Sequence, residues 1–154
     1  MPNTINPNIF REYDIRGVVG DDLTPDSVEL IGKAIGSYIK RNGGKTLTVG
    51  RDMRQSSVDF RDALTRGLLS TGCDVIDIGM VPTPVSYFSL HHLKPDGGVM
   101  ITGSHNPSNF NGFKISLGLH SLYGEKIQHL RDLIERSDFE TGQGKQQHEE
   151  VLET

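Results

Sequence analysis

The stretch of this chain that is most informative about chemistry is one short loop, TGSHNP at positions 102–107. The motif begins at Thr102, the last residue of a run, 98–102 (GVMIT), that predicts a buried strand. Ligand sites in open α/β sheets gather outside the carboxyl ends of strands, so the hydroxyl of Ser104 would be exposed at the edge of a site. The neighbouring His105 could tune the local charge or donate a hydrogen bond to an anion. An ordinary Asn-Pro turn built from small residues is the competing interpretation, and the local sequence leaves both open.

A loop of this kind needs a sheet to hold it, and the alternation of apolar patterns predicts one. The predicted strands lie within 10–20, 46–49, 73–78, 98–102 and 113–117, and the predicted helices begin near 24, 56, 83 and 125. Thr24 is a predicted helix cap, and Ser56 with Asp59 makes a capping-box pattern. Strands that alternate with helices favour a parallel sheet, but residues 113–117 follow Ile101 too closely for a helical crossover and should run antiparallel. The prediction is an α/β fold, a three-layer αβα domain with a mixed, mainly parallel sheet between helices.

The length of 154 residues suits one domain with a real core. We expect the domain to occupy residues 1–137. From 138 to 154 the chain is polar, with Phe139, Val151 and Leu152 as its only large apolar residues. This segment is predicted to be a linker or tail that leads toward a second domain.

Composition argues against several classes of protein. The formal net charge of −4 gives no support to a nucleic-acid surface, which needs clustered Lys and Arg. The single cysteine, Cys73, permits no intramolecular disulfide and fits a reducing compartment. The N-terminus lacks the pattern of a signal peptide, and no stretch approaches the roughly 18 apolar residues of a membrane span. We expect a soluble, cytoplasmic chain without nucleic-acid or membrane partners.

Four motifs, taken together, resemble a known enzyme family. They are FREYDIRG at 10–17, GRDMR at 50–54, TGSHNP at 102–107 and NGFK at 111–114. In this order and spacing they resemble the first domain of the α-D-phosphohexomutases, over about residues 9–137. The form with Gly103, together with IFREYDIRGVVGD, is most similar to the phosphomannomutase/phosphoglucomutase type, and glucosamine-type and purely phosphoglucomutase-type enzymes are also similar.

The resemblance implies an intramolecular phosphotransferase that interconverts the 1-phosphate and 6-phosphate of mannose or glucose. Phosphorylated Ser104 would give its phosphoryl group to the hexose phosphate, and the resulting bisphosphate would reorient and return its other phosphate. His105 would assist the phosphoserine by charge and hydrogen bonding, and Arg16 would fork onto phosphate oxygens. Lys114 would be the general acid/base if a cationic neighbour such as Arg16 favours its neutral form. Tyr13 could contact the substrate or equally pack on one face of a strand.

The resemblance also implies parts that this chain does not carry. The family has four domains, and its Mg²⁺ is held by an aspartate-rich loop of the second domain together with the phosphate on Ser104. A hexose bisphosphate would act as activator, and the remaining domains of the same enzyme would be partners alongside the hexose phosphate substrate. We expect the 154-residue chain alone to be inactive. The alternative is a stand-alone phosphoprotein or ligand-binding module that keeps the serine loop without the reaction, and the choice between mannose and glucose stays open.

The charged residues of the GRDMR motif have a more ordinary explanation. Arg51, Asp52 and Arg54 could form a buried ion-pair network that steadies the end of the sheet, and this is the interpretation that we prefer.

Overall fold

A computed structural model describes residues 5–81, 93, 95–103, 109–118 and 120–148, in which strands and helices alternate along the chain. The strands are β1 Ile15–Val18, β2 Thr46–Arg51, β3 Asp74–Met80, β4 Gly97–Ile101, β5 Phe110–Leu117, β6 His120–Ser121 and β7 Gln146–His148. The helices are α1 Pro25–Arg41, α2 Gln55–Ser70 and α3 Glu125–Glu135, and a 3₁₀ turn spans Pro7–Ile9. No helix in the described ranges is long and apolar enough to cross a membrane.

All seven strands join one mixed sheet in the order β1-β5-β4-β2-β3-β7, and β6 pairs with β5. The neighbours β4, β2, β3 and β7 are parallel, whereas β5 is antiparallel to β4, β1 and β6. Within the described residues β5 is therefore the one strand that runs against the others. The predicted mixed, mainly parallel sheet is confirmed, and so is the reversal of the strand that follows Ile101.

The main core lies between the sheet and a layer of three helices. One continuous apolar cluster contains residues from α1, α2 and α3 together with inward-facing residues of β1 to β5. α1 approaches α2 closely at two glycines: a Cβ at Gly32 would lie 3.1 Å from the Cα of Gly67, and a Cβ at Gly67 would lie 2.8 Å from the backbone nitrogen of Lys33. Glycine at both positions lets the backbones of α1 and α2 meet, so the two helices pack closely within their layer.

A second, smaller apolar cluster covers the opposite face of the sheet. It consists of Ile76, Ile78, Val81 and Met100, with Leu93 packed against it. The helix predicted to begin at Thr83-Pro84 lies outside the described residues. The fold is α/β, with a mixed sheet flanked by helices.

The two long helices begin in different ways. The backbone nitrogen of Ser27 donates to Oγ1 of Thr24 at 3.2 Å and the nitrogen of Thr24 donates to Oγ of Ser27 at 2.9 Å, so the predicted cap of α1 is confirmed. The predicted capping box at Ser56 and Asp59 is wrong. α2 begins at Gln55, and its N-cap residue, Arg54, lies two residues before the predicted cap and makes no side-chain cap bond. The hydroxyl groups at the start of α2 are used instead to bind neighbouring segments at the edge of the sheet.

The polar segment after α3 does not leave the domain where its composition predicts. Arg41 pairs with Asp138 at 3.0 Å and with Glu140 at 2.9 Å, the backbone nitrogens of Gly142 and Gly144 donate to carbonyls of α2, and β7 extends the sheet beside β3. Residues up to His148 are therefore attached to the domain, mainly by backbone hydrogen bonds and ion pairs that a hydrophobicity pattern cannot indicate. That the chain leads on to a second domain stays a prediction.

Candidate active site

The candidate site lies at the edge of the sheet where the parallel strands β4, β2 and β3 end. Thr102 and Gly103 follow β4, and Asp52 follows β2. Because β5 runs the other way, its first residues, Phe110 and Asn111, lie at this same edge. The predicted phosphoryl carrier Ser104 and its neighbour His105 lie outside the described residues, so the structure defines the groups that hold the two flanks of their loop.

Asp52 is bonded to the flank that precedes the serine. Its Oδ2 accepts a hydrogen bond from the backbone nitrogen of Gly103 at 2.9 Å, and its Oδ1 accepts from Oγ of Ser57 at 2.6 Å and from the backbone nitrogen of Arg54 at 3.0 Å. Burial of the carboxylate raises its pKa, but the hydrogen bonds from Ser57, Gly103, Arg54 and Thr102 outweigh burial. The net effect is a pKa of Asp52 below the ordinary value of 3.8, so the group is a carboxylate at neutral pH.

Arg54 joins the two flanks. Its Nε lies 3.4 Å from Oδ2 of Asp52, and its Nη1 donates to the backbone oxygen of Phe110 at 3.0 Å. The guanidinium packs against Gly103 so closely that a Cβ there would overlap it. The predicted ion-pair network is thus present between Asp52 and Arg54. Arg51 does not join it: its Nε and Nη1 are buried without a hydrogen-bond partner in the part of the chain that the structure describes.

Asn111 was not predicted to belong to the site, yet it is fully buried there. Its Nδ2 donates to Oγ of Ser56 and to Oγ of Ser57, both at 2.9 Å, and its Oδ1 accepts from the backbone nitrogen of Gly112. The first turn of α2 is therefore tied to the start of β5 as well as to Asp52. The Asn-Gly pair inside the NGFK motif was the signal that could have found it.

Arg16 and Lys114 lie on the same face of the sheet. Arg16 stands directly opposite Gly112 in the β1–β5 pair, and Lys114 is two residues further along β5. Such diagonal neighbours have Cα atoms about 7–8 Å apart, within reach of long side chains. In the described residues the side-chain hydrogen bond of Arg16 goes from its Nε to Oδ1 of the buried Asp14 at 3.1 Å. The two cations predicted to serve phosphoryl transfer are thus adjacent.

Tyr13 shares a cleft with Lys114. The cleft has a volume of about 440 Å³ and opens where β5 changes partner from β1 to β6; its lining residues are Tyr13, Lys114, Ile115, His120, Ser121 and Tyr123. The side chain of Tyr13 is 71% exposed, so it contacts this opening rather than packing into the sheet. His120 and Tyr123 carried no signal in the sequence, because they lie in and just after β6, outside the four motifs.

The segment that carries Tyr13 is fixed from the side of α3. The backbone nitrogen of Gly124 donates to the oxygen of Glu12 at 2.7 Å, and Nε2 of Gln128 donates to the oxygen of Phe10 at 2.9 Å. These bonds hold the chain just before β1, so the backbone that precedes Tyr13 is anchored to the start of α3.

The described residues hold no complete metal site. No group of three or more His, Cys, Asp or Glu side chains among them could hold a metal ion. A hard cation needs several oxygen ligands. This part of the chain does not by itself fit Mg²⁺.

Fold and site together define an α/β domain with a cationic, polar site beside the carboxyl ends of its parallel strands, where such sheets bind ligands. The comparison with known proteins makes this specific. The family model for phosphoglucomutase/phosphomannomutase, alpha/beta/alpha domain I, matches residues 7–141. A phosphomannomutase/phosphoglucomutase of Pseudomonas aeruginosa is 47% identical over 149 residues, which are 97% of this chain and 32% of the relative.

A phosphoglucomutase of Neisseria meningitidis is 44% identical over 136 residues, which are 88% of this chain and 30% of the relative. The crystal structure of a phosphoglucomutase/phosphomannomutase family protein from Burkholderia thailandensis has a TM-score of 0.93 and 41% identity, and covers 97% of this chain and 34% of that chain. The chain belongs to the phosphoglucomutase/phosphomannomutase family and corresponds to its domain I, which confirms the resemblance carried by the four motifs. It spans about a third of the length of the curated relatives that it matches.

Proposed function

We propose that this chain is the phosphoserine domain of a hexose-phosphate mutase that interconverts the 1-phosphate and 6-phosphate of mannose or glucose. Ser104 carries the phosphoryl group, gives it to the sugar and receives the other phosphate back from the bisphosphate intermediate. Membership of the family supports the class of reaction, and the geometry of the described residues supports the assignment of roles.

The observation that carries the proposal is that Arg16 and Lys114 are diagonal neighbours on one face of the sheet, and that Tyr13 and Lys114 line the same cleft. The backbone nitrogen of Thr102 donates to the oxygen of Gly112 at 3.0 Å, and Gly112 stands opposite Arg16. One hydrogen bond and one strand pair therefore connect the residue two positions before Ser104 to the strand that carries Arg16.

Each of these side chains has a role suited to phosphoryl transfer, which depends mainly on positioning and charge neutralisation. A phosphoserine carries about −1.5 to −2 charges near neutral pH, and the guanidinium of Arg16 can bind two phosphate oxygens at once. Lys114 takes the proton from the attacking sugar hydroxyl and returns it to the leaving oxygen in the reverse step. His105 assists at the phosphoserine, and Tyr13 contacts the sugar from the cleft.

Mg²⁺ belongs to the proposal as a group whose remaining ligands lie outside the described residues. Within this chain the phosphate on Ser104 is its proposed ligand. When bound, the ion neutralises charge on the transferring phosphate. A hexose bisphosphate activator phosphorylates Ser104 to start the cycle, and the enzyme acts in the cytoplasm, a reducing compartment that suits the free thiol of Cys73.

The test is an assay of the full-length gene product with Mg²⁺, a hexose bisphosphate and either mannose 1-phosphate or glucose 1-phosphate. The expected result is turnover that disappears in Ser104→Ala, together with loss of one phosphate, seen by intact mass, in that variant. Turnover that survives in a folded Ser104→Ala variant would exclude Ser104 as the carrier. A serine that is phosphorylated in a protein without turnover would instead support the stand-alone phosphoprotein or ligand-binding module.

A further inference from the structure

The carboxylate of Asp52 and the guanidinium of Arg54 bond to backbone groups on the two flanks of the serine loop. The backbone nitrogen of Gly103 donates to Asp52, and the backbone oxygen of Phe110 accepts from Arg54. Gly103 lies before the loop and Phe110 lies after it. Asp52 and Arg54 are in turn paired with each other, with Nε of Arg54 3.4 Å from Oδ2 of Asp52. One ion pair therefore fixes both ends of the loop.

A second carboxylate in the same fold provides a comparison. Asp77 in β3 also accepts from a backbone nitrogen, that of Gly79 at 2.8 Å, and also pairs with an arginine, Arg61, at 2.9 Å. Its side chain is 7% exposed, against 20% for Asp52. Asp77 is bonded within β3 and to α2, so it is a carboxylate of the same type that holds the fold without holding the serine loop.

We propose that Asp52 and Arg54 are positioning residues for phosphoryl transfer: they clamp the two flanks of the serine loop and thereby set the place of Ser104 relative to Arg16 and Lys114. This inference rests on the proposed function. Ser104 is covalently bonded to Gly103, so any displacement of Gly103 passes directly to the reacting serine. Phosphoryl transfer is sensitive to such displacement, because a misplacement of about 1 Å can cost about 10²-fold in rate.

The clearest perturbation is Asp52→Asn, which keeps the size of the side chain and removes its charge. Each carboxylate oxygen accepts from a backbone nitrogen, Oδ2 from Gly103 and Oδ1 from Arg54. An asparagine can offer an oxygen to only one of them and must turn its amino group toward the other, whichever way the amide is oriented. The variant therefore breaks the clamp without opening a cavity.

The experiment compares the full-length wild type with Asp52→Asn, with Asp77→Asn as the matched control, and with Ser104→Ala. We expect Asp52→Asn to lower kcat by about 10- to 100-fold with KM changed by less than about 3-fold, because the clamp acts on the geometry of transfer. Asp77→Asn should lower the midpoint of denaturant unfolding at least as much and leave kcat within about 2-fold. If Asp52→Asn does not fold, Arg54→Lys replaces it, because a lysine lacks the fork that reaches Asp52 and Phe110 together.

A structural role alone would give a different result, with equal losses of kcat in Asp52→Asn and Asp77→Asn. That result, or a normal kcat in Asp52→Asn while Ser104→Ala is inactive, overturns the inference and leaves the proposed function standing. Failure of the wild type to turn over either hexose phosphate counts against the proposed function instead. Amide hydrogen exchange then decides the inference separately: the clamp requires faster exchange at Gly103 in Asp52→Asn than in Asp77→Asn, and equal exchange refutes it.

Discussion

Gly112 offers the sharpest test of how β1 is placed against β5. A Cβ at this position would collide with the backbone oxygen of Ile15 and would lie 2.9 Å from the Cβ and 3.2 Å from the Cα of Arg16. Carbon atoms prefer separations of about 3.5–4.0 Å, so in Gly112→Ala the strand that carries Arg16 must move by about 0.5 Å or more. Two of these three contacts are to backbone, so rotation of a side chain cannot relieve them.

The expected magnitude follows from two opposing effects. Overpacking of this kind costs about 1–3 kcal/mol, whereas replacing a strand glycine by alanine recovers about 0.5–1 kcal/mol of backbone entropy. We expect Gly112→Ala to be less stable by about 1–2 kcal/mol, which is a factor of about 5–30 in the ratio of folded to unfolded protein. Because the displaced strand carries Arg16, turnover should also fall, by up to about 10²-fold.

The assay is denaturant unfolding followed by steady-state kinetics on the same preparation. Gly50→Ala is the control for stability, since the nearest atoms to its Cβ are side-chain carbons of Ile78 and Val81 at 3.1–3.2 Å, which can shift by a few tenths of an ångström. A Gly112→Ala variant with an unchanged or higher unfolding midpoint would refute the reasoning, since it would show that β1 accommodates the methyl group without cost.

Three further predictions follow from the same structure. Lys114→Met keeps the length of the side chain and removes the amine, so kcat should fall by about 10²- to 10⁴-fold with little change in KM; a loss of affinity at a normal kcat would make Lys114 a binding residue. Gly67→Ala should destabilise the protein by about 1 kcal/mol or more, because a methyl group there meets the backbone of α1 and the cost of overpacking exceeds the gain of about 1 kcal/mol in helix propensity. A raised melting temperature would show instead that α1 and α2 can move apart without cost. The lowered pKa of Asp52 means that its ionised form stabilises the folded state above pH 3.8 and that this contribution is lost as the pH falls through the folded pKa. Stability of the wild type should therefore decline more steeply below pH 3.8 than that of Asp52→Asn, and parallel acid-unfolding curves would contradict this.

The sequence predicted the parts of the fold that depend on periodicity and turn chemistry. α3 was expected to begin near 125 and spans Glu125–Glu135, and the reversal of β5 followed from the short connection after Ile101. The predicted cap of α2 at Ser56 was wrong because Oγ of Ser56 accepts a hydrogen bond from Nδ2 of Asn111 rather than capping the helix, and hydrogen-bond partners distant in sequence leave no local pattern. The attachment of residues 138–148 was missed for the same reason, since backbone groups of glycines carry no sequence signal.

The candidate site was predictable to the extent that its residues lie in motifs. The diagonal neighbours Arg16 and Lys114 came from two motifs, and only the register of β1 against β5 brings them together. His120 and Tyr123 were not predictable, because the cleft they line exists only where β5 exchanges one strand partner for another. Composition and periodicity describe one helix or strand at a time, whereas this cleft is formed by three separate segments of the chain: the residues before β1, β5, and β6 with the residues after it.

The reversal of β5 explains why residues from the four motifs meet at one edge of the sheet. In a fully parallel sheet the start of every strand lies at the edge opposite to its ligand-binding edge. β5 is antiparallel to β4, so its first residues lie beside the end of β4, where Arg54 reaches Phe110 and Asn111 reaches Ser56. The same reversal allows β1 to pair with β5 and to add Arg16 on the face of Lys114. Lys114 lies near the middle of β5, so a parallel β5 would leave it at about the same position along the strand direction. Phe110 and Asn111 would instead lie at the opposite edge of the sheet, and the serine loop would lose the anchor on its second flank.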